Sequence, residues 1–374
     1  MSEDGAPEPD RRGEAPHPRH AVTLHGHAAA ERTVRDAFAS GRMHHGWLVT
    51  GPEGIGKATL AWRMARFLLA QPAEAEADGL FGAPPPPPSL DVAADHPVAR
   101  RVAALSEPRL HLLRRTPDPK TGRMRSEITV DSTRKLKEFF ALSAAEGGRR
   151  VVIVDTADEM NRSAANAILK LLEEPPDRAT LILVSHRPGH LLPTIRSRCR
   201  LLRLAPLSPE PLARALAQAG IEVEAEAAES LAALAGGAPG AAIDLLAGDG
   251  LAFYTQLVAL CSRAPGIDRP GATALAQAPG KDGFPLALHL IETFLARLAV
   301  TGVSGPPAPE AVVGEAATLA RLAPDASAAR RWADLAQTAG ARARQGFAVN
   351  LDPAALLLDM LLAIDGAARA PAPA

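Results

Sequence analysis

The chain has 374 residues, 47% of them apolar, and a formal net charge of −1. That length and apolar content suit two or three domains with real cores, and the balanced charge argues against a strong general binder of nucleic acid, leaving contact through a local patch or a complex open. Only Cys199 and Cys261 occur, which excludes a disulfide framework and a thiolate zinc site and, with no apolar run near the roughly 18 residues of a membrane helix, leads to a cytoplasmic expectation.

Residues 1–20 are polar and hold no apolar stretch of the kind a leader needs, so a disordered tail is expected there. From Val22 to Leu69 the pattern reads helix, strand, loop, helix. Trp47-Leu-Val-Thr50 is a short apolar run suited to a buried strand, and Leu60, Ala61, Met64, Ala65, Leu68 and Leu69 then recur at helical spacing. Between them lies Gly51-Pro-Glu-Gly-Ile-Gly-Lys57-Ala58-Thr59. A glycine loop joining strand to helix lets backbone N–H groups and the positive helix end hold a polyphosphate, with the lysine reaching its terminal groups. The hydroxyl that ligates Mg²⁺ in such loops is replaced by Ala58. Thr59 lies one residue further, roughly 100° round the helix, without obvious reach to the metal. Gly51, Gly54, Gly56, Lys57 and Thr59 thus form a candidate nucleotide site that is weak or vestigial, which leaves ATP or ADP binding open.

Gln71 to Pro97 is rich in Ala, Pro and acidic residues, with five consecutive prolines at 84–88, and reads as an exposed insertion over 71–97. Regular structure resumes with a strand at Arg109–Leu113 and a helix from Val130 to Ala145. Val151-Val-Ile-Val154 is a continuous apolar strand ended by Asp155. A helix over Ser163–Leu172 follows, stopped by Pro175-Pro176, and Thr180–Val184 is another buried strand. Apolar strands alternating with helices predict an α/β domain with a parallel sheet covered on both faces. From Ser208 the strand signals fade: residues 208–247 read as three short helices divided by Gly220 and Gly236–Gly240, and beyond 250 the chain is Ala- and Leu-rich helix, including Pro285–Val300 and Ala354–Ile364. Such helices bury their apolar faces in one another or in a partner.

The loop at 51–57 with His44-His45 before it, the strand end at Asp155, Lys170-Leu-Leu-Glu-Glu-Pro-Pro176 and Thr194-Ile-Arg-Ser-Arg-Cys-Arg200 together resemble bacterial clamp-loader subunits of the AAA+ family. The motifs cover residues 21 to about 205; each is weak alone, and Ser197-Arg198-Cys199 after the Glu-Glu-Pro-Pro segment is the most specific. The resemblance implies a RecA-like AAA+ domain over 21–206, a helical lid over 207–248 and a helical collar over 249–370 that closes a hetero-oligomeric ring. It also implies the partners: tau/gamma and delta subunits of the DNA polymerase III clamp loader, with the sliding clamp and primed DNA met through the complex during replication.

The resemblance further implies which parts of the ATPase machinery remain. Asp155 stands where such proteins hold Mg²⁺, but Thr156 replaces the glutamate that polarises the attacking water, and a threonine hydroxyl is no base at neutral pH. Asp158, three residues on, is expected to be a helix-start or surface carboxylate. Ser185 matches the first sensor position, and Ala241 and Ala242 stand where an arginine sensor is usual. A chain lacking the metal-ligating hydroxyl, the base and the second sensor is expected to be a non-motor subunit. Arg198 matches the arginine finger given in trans to a neighbour's ATP, a task that suits a planar guanidinium; the plainer reading is that Arg196, Arg198 and Arg200 line the solvated face of a short strand. Relatives carry a four-cysteine zinc module where this chain has its proline-rich stretch, so no zinc is expected. Two further readings stay open: an active tau/gamma-type ATPase in which Thr59 serves the metal, and an assembly scaffold with a vestigial nucleotide site. A P-loop kinase has no recognisable acceptor pocket in its favour.

Overall fold

The computed structural model describes residues 8, 11–71, 87–118, 121–142 and 148–369. The expected proline-rich insertion lies outside the described residues over 72–86. Two units divide the chain: the first is Met1–Leu207 with Arg214–Ile221 and Ala238–Gly240, the second Ser208–Ala213, Glu222–Gly237 and Ala241–Ala374. The segment expected as a lid at 207–248 is therefore shared between the units. Its helices are only 9 or 10 residues long, too short to enclose a core of their own.

The first unit is built on five strands, β1 (Gly46–Thr50), β2 (Leu110–Leu113), β3 (Arg150–Val154), β4 (Ala179–Ser185) and β5 (Arg200–Arg203), in the order β2-β3-β4-β1-β5. Every pairing is parallel. β1, β3 and β4 are buried along their whole length, as strands of Val, Ile, Leu and Trp must be when both faces are covered. The edge strands β2 and β5 are only partly covered.

Around the sheet lie α1 (Ala28–Ala39), α2 (Lys57–Ala70), α3 (Pro97–Ala103), α4 (Val130–Leu142), α5 (Arg162–Glu173) and α6 (Pro193–Ser197). The Asn161 side chain accepts the Ala164 N–H at 2.9 Å and caps α5, whose buried face carries Ala164, Ala165, Ile168 and Leu172. α3 has no counterpart in the sequence reading because seven residues show no clear period; Pro97 and the His96 side chain, which accepts the Val98 N–H, start it. Near its start, Leu90 is buried and Asp91 pairs with Arg63.

The disorder expected over residues 1–20 is corrected for 11–20. Ala15 and His17 are buried, Pro18–His20 forms a 3₁₀ turn, and the His17 ring meets Trp62 edge-on at 5.7 Å. The reason lies on α2, which is buried along nearly its whole length. The buried Arg66 donates to the carbonyls of Arg19 and Ala21, so the N-terminal segment supplies both its apolar cover and its acceptors.

Helices α7 (Pro209–Gln218), α8 (Ala225–Leu234) and α9 (Pro239–Ala247) follow the sheet. The second unit continues through α10 (Gly250–Cys261), α11 (Arg269–Gln277), α12 (Gly280–Ser304), α13 (Glu315–Leu322), α14 (Ala326–Ala348) and α15 (Pro353–Arg369). α12 begins five residues before the expected Pro285, and the proline, inside the helix, leaves the Lys281 carbonyl without its i+4 donor. α12 and α14 run antiparallel. Phe284 stacks on Phe347 at 4.4 Å near one end, and at the other a Cβ on Gly302 would meet the Asp325 carbonyl at 2.4 Å, so only glycine fits. By length and composition α12 could cross a membrane, but Phe284, Ile291, Phe294, Leu295 and Leu298 are buried within this unit, as in a soluble core helix.

One buried ion network ties these helices together. Glu315, fully buried, takes the Arg297 guanidinium at 2.6 and 2.9 Å, the Tyr254 hydroxyl at 2.6 Å and the Ala311 N–H at 2.6 Å. Replacing it would strand a half-buried cation and a buried hydroxyl. Glu315→Ala is expected to destabilise this unit by about 3 kcal/mol, seen as a lower urea midpoint in the helical circular-dichroism signal; a loss below about 1 kcal/mol would mean that water replaces the carboxylate.

Candidate functional site

The sheet register gathers most of the predicted site. Thr50 pairs with Ser185 and Val154 with Leu183, so the glycine loop, Asp155 and Ser185 all follow the C-terminal ends of adjacent strands. That edge is where open α/β sheets take ligands. The loop needs its glycines for different reasons. Gly51, at φ +146°, would press a Cβ to 2.6 Å from the Leu204 carbonyl, while Gly56, at φ +102°, turns the chain into α2.

Lys57 is buried, and its ammonium donates to the loop's own carbonyls, Gly51 O at 2.8 Å and Pro52 O. Burial pushes its pKa down to about 8, against the opposing pull of Glu53, Asp158 and Asp155. Ala58 and Thr59 are half-buried on the first turn of α2. Within the same unit the Gly240 N–H donates to Gly54 O at 2.8 Å, closing one side of the loop. Ala241 and Ala242, next in the chain, carry only methyl side chains.

Asp155 is buried at the end of β3. Thr156 sits in the left-handed region at φ 57°, strained for a β-branched residue, and starts a 3₁₀ turn over Ala157–Glu159. That turn puts Asp158 at a helix start, one of the two places expected for it. Its side chain is wholly buried rather than on the surface, with Oδ1 accepting the His186 N–H at 3.0 Å and Oδ2 3.6 Å from Arg187 Nε. Burial works to raise its pKa, but the neighbouring Ser185 hydroxyl and His186 N–H outweigh it and hold the carboxyl below its usual range. Burial and the nearby Lys57 charge push His186 down, toward the neutral imidazole.

Sequence reasoning thus missed Asp158, His186, Glu53 and Arg12 as neighbours of Lys57. The Glu53 carboxylate pairs with Arg12 from the N-terminal segment; burial alone would raise its pKa, and Arg12 and Lys57 bring it below the usual range. Nothing in the sequence pairs residue 12 with 53. Asp158 was legible only as an acidic residue three positions from Asp155. The site can hold phosphate oxygens through its loop and lysine, yet Thr156 offers no base and Ala58 no metal-ligating hydroxyl.

Arg198 lies elsewhere. β5 starts at Arg200, which pairs with Trp47 near the start of β1, while Arg203 pairs with Thr50 at its end. The strand length, about 13 Å at 3.3 Å per residue, separates the arginine from the glycine loop. A Cβ on Gly46 would meet the Arg198 carbonyl at 3.2 Å, which places the arginine at the N-terminal edge of the sheet. The strand-face alternative for Arg196, Arg198 and Arg200 is replaced by three environments: Arg196 is in α6, Arg198 is its C-cap and Arg200 opens β5. Beside them Cys199 is half-buried, and burial pushes its thiol up to about 12. The stacked pair His44 and His45 leads into β1, with His45 Nε2 3.1 Å from the Leu172 carbonyl.

This fold and loop define a P-loop protein of the RecA-like α/β class. Residues 26–208 match the family described as "DNA polymerase III, delta subunit". The chain is 41% identical over 201 residues to the DNA polymerase III subunit delta' of Pseudomonas aeruginosa, an alignment covering 52% of this chain and 53% of that one. To the subunit delta' of Escherichia coli K12 it is 32% identical over 260 residues, 69% of this chain and 71% of that one. It is also 30% identical over 254 residues to the DNA polymerase III subunit gamma/tau of Mycobacterium tuberculosis, covering 63% of this chain and 38% of that one. The chain belongs to the DNA polymerase III delta' family.

The depressed lysine gives a test of the site. Folded Lys57 releases its proton near pH 8, whereas the unfolded lysine keeps it to about 10.5. Between those values the unfolded state binds more protons, so this residue's contribution to stability rises with pH across the window and is least favourable below about 8. Lys57→Met is expected to unfold at a higher temperature than the parent at pH 7, with the gap narrowing toward pH 10, in thermal melts across that range. A gap independent of pH would show that Lys57 keeps an ordinary pKa.

Proposed function

We propose that this chain is a non-motor clamp-loader subunit that completes the ATP site of a neighbouring ATPase subunit through Arg198 while its own site is hydrolytically idle. The observation that carries the reading is the register of β5 on β1. It sets Arg198 at the sheet edge opposite the chain's own glycine loop, so the guanidinium serves another chain's phosphates or none. Its partial exposure, 38% of the side chain, leaves it accessible. A guanidinium brought to a transferring phosphoryl group stabilises the charge that develops there.

The idle site rests on Ala58, Thr156 and the alanines at 241 and 242, which together remove a metal ligand, a base and a cation. The partners follow from the family and from the likeness to gamma/tau subunits: tau/gamma-class and delta-class chains in a ring, with the clamp and primed DNA met through the assembly. Contact with DNA would be directed at phosphates and independent of sequence, since loading must work at any primer junction. The helical second unit is the part proposed to assemble with them.

ATP hydrolysis by the purified chain, alone and mixed with tau/gamma and delta subunits, clamp and primed DNA, tests the reading. The chain alone is expected to be silent, and the mixture to hydrolyse only when it is present. Arg198→Ala should leave assembly intact and slow the adjacent site by about 100-fold or more. Turnover by the isolated chain would favour a tau/gamma-type motor; full activity with Arg198→Ala, combined with lost assembly when 250–374 is removed, would favour a scaffold.

A further inference from the structure

Arg198 is held from two sides within its own chain. Its Nη1 donates to the Thr194 carbonyl at 3.1 Å, and its Nη2 lies 3.0 Å from Glu173 Oε1. A guanidinium has five N–H donors. These contacts engage one donor on each terminal nitrogen and leave the others for an incoming anion.

The backbone that carries this carboxylate is anchored. Glu173 is the last residue of α5, directly after the buried Leu172, whose carbonyl lies 3.1 Å from His45 Nε2. Gly46 then brings both ends of the contact to one point: a Cβ there would lie 2.6 Å from Leu172 Cδ2 and 3.2 Å from the Arg198 carbonyl. The backbones bearing the acid and the base are thus packed against the first residue of β1. The side chains are 43% and 38% exposed, so the pair stays in contact with water and adds little to stability. What such a pair can do is limit where the guanidinium points.

We propose that Glu173 is a positioning residue, whose carboxylate holds the Arg198 guanidinium against the Thr194 carbonyl so that its free donors meet a neighbouring chain's polyphosphate already oriented. An arginine free in water loses rotamer freedom when it docks, and prior pinning removes part of that loss. The inference rests on the reading of Arg198 as a group acting in trans.

The test uses the assembled complex with only the adjacent ATP site competent, and compares Glu173→Ala, Glu173→Asp, Arg198→Ala and the Glu173→Ala/Arg198→Ala double variant after light scattering has confirmed assembly. Glu173→Ala is expected to lower kcat by about three- to fivefold, with the KM for ATP unchanged. Glu173→Asp should restore part of the loss, and Glu173→Ala should change nothing once Arg198 is alanine. A wild-type kcat for Glu173→Ala beside an impaired Arg198→Ala would overturn the positioning role alone. So would a raised kcat, which would make Glu173 a restraint, or a loss that persists in the double variant. Full hydrolysis by Arg198→Ala would overturn the trans reading and this inference with it, an outcome distinguishable because the single Arg198 variant reports it directly.

Discussion

β1 is hydrogen-bonded on both sides, to β4 through Gly46–Thr50 against Leu181–Ser185 and to β5 through Trp47–Thr50 against Arg200–Arg203. Both pairings are parallel, so all three strands point the same way and the sheet has one chemical end and one structural end. The glycine loop, Asp155 and Ser185 emerge at the first; His45, Glu173 and Arg198 are packed at the second. A parallel strand buried on both faces cannot slip by one residue without turning its whole apolar set around. Its register therefore fixes which edge each group attached to it occupies: the glycine loop and Lys57 at one, Arg198 at the other.

The glycine loop holds a dense set of charges that satisfy one another within the chain. Lys57 is turned onto its own loop's carbonyls, and two of the acids near it, Glu53 and Asp158, meet Arg12, Arg187 and the His186 N–H. Opposed charges in a partly buried site must be matched closely, since an unpaired one carries a large desolvation penalty. The strained Thr156 and the turn after it bring Asp158 inward, where its Oδ1 accepts the His186 N–H and its Oδ2 faces Arg187 at 3.6 Å.

How much of this was legible in the sequence depended on the range of the interactions. The sheet, the loop and α5 announced themselves because their signals are local: apolar runs bounded by turns, glycines at fixed offsets, a helix face stopped by Pro175-Pro176. The N-terminal segment did not. It is polar throughout, and what orders it is Arg66 and Trp62 on a helix about 45 residues further on, a contact no periodicity encodes. Asp158 was legible as a helix-start acid, but its burial was not, because that depends on the left-handed Thr156 turning it inward. Arg198 was named from its motif alone; that it stands at the far edge from its own glycine loop came only from the pairing of β5 with β1.

The two cysteines have a practical corollary. Cys199 in the first unit and Cys261 in the second both have thiols pushed up to about 12 by burial, so each is almost wholly protonated at neutral pH. Compared with an exposed thiol near the ordinary value, their reactive thiolate fraction is smaller by about a thousandfold. Both native thiols are therefore expected to react with maleimides far more slowly than an exposed cysteine. A cysteine introduced on an exposed helix of either unit would take a fluorophore or spin label ahead of the native thiols, and a pair of them within one unit would let a distance be read in the intact protein.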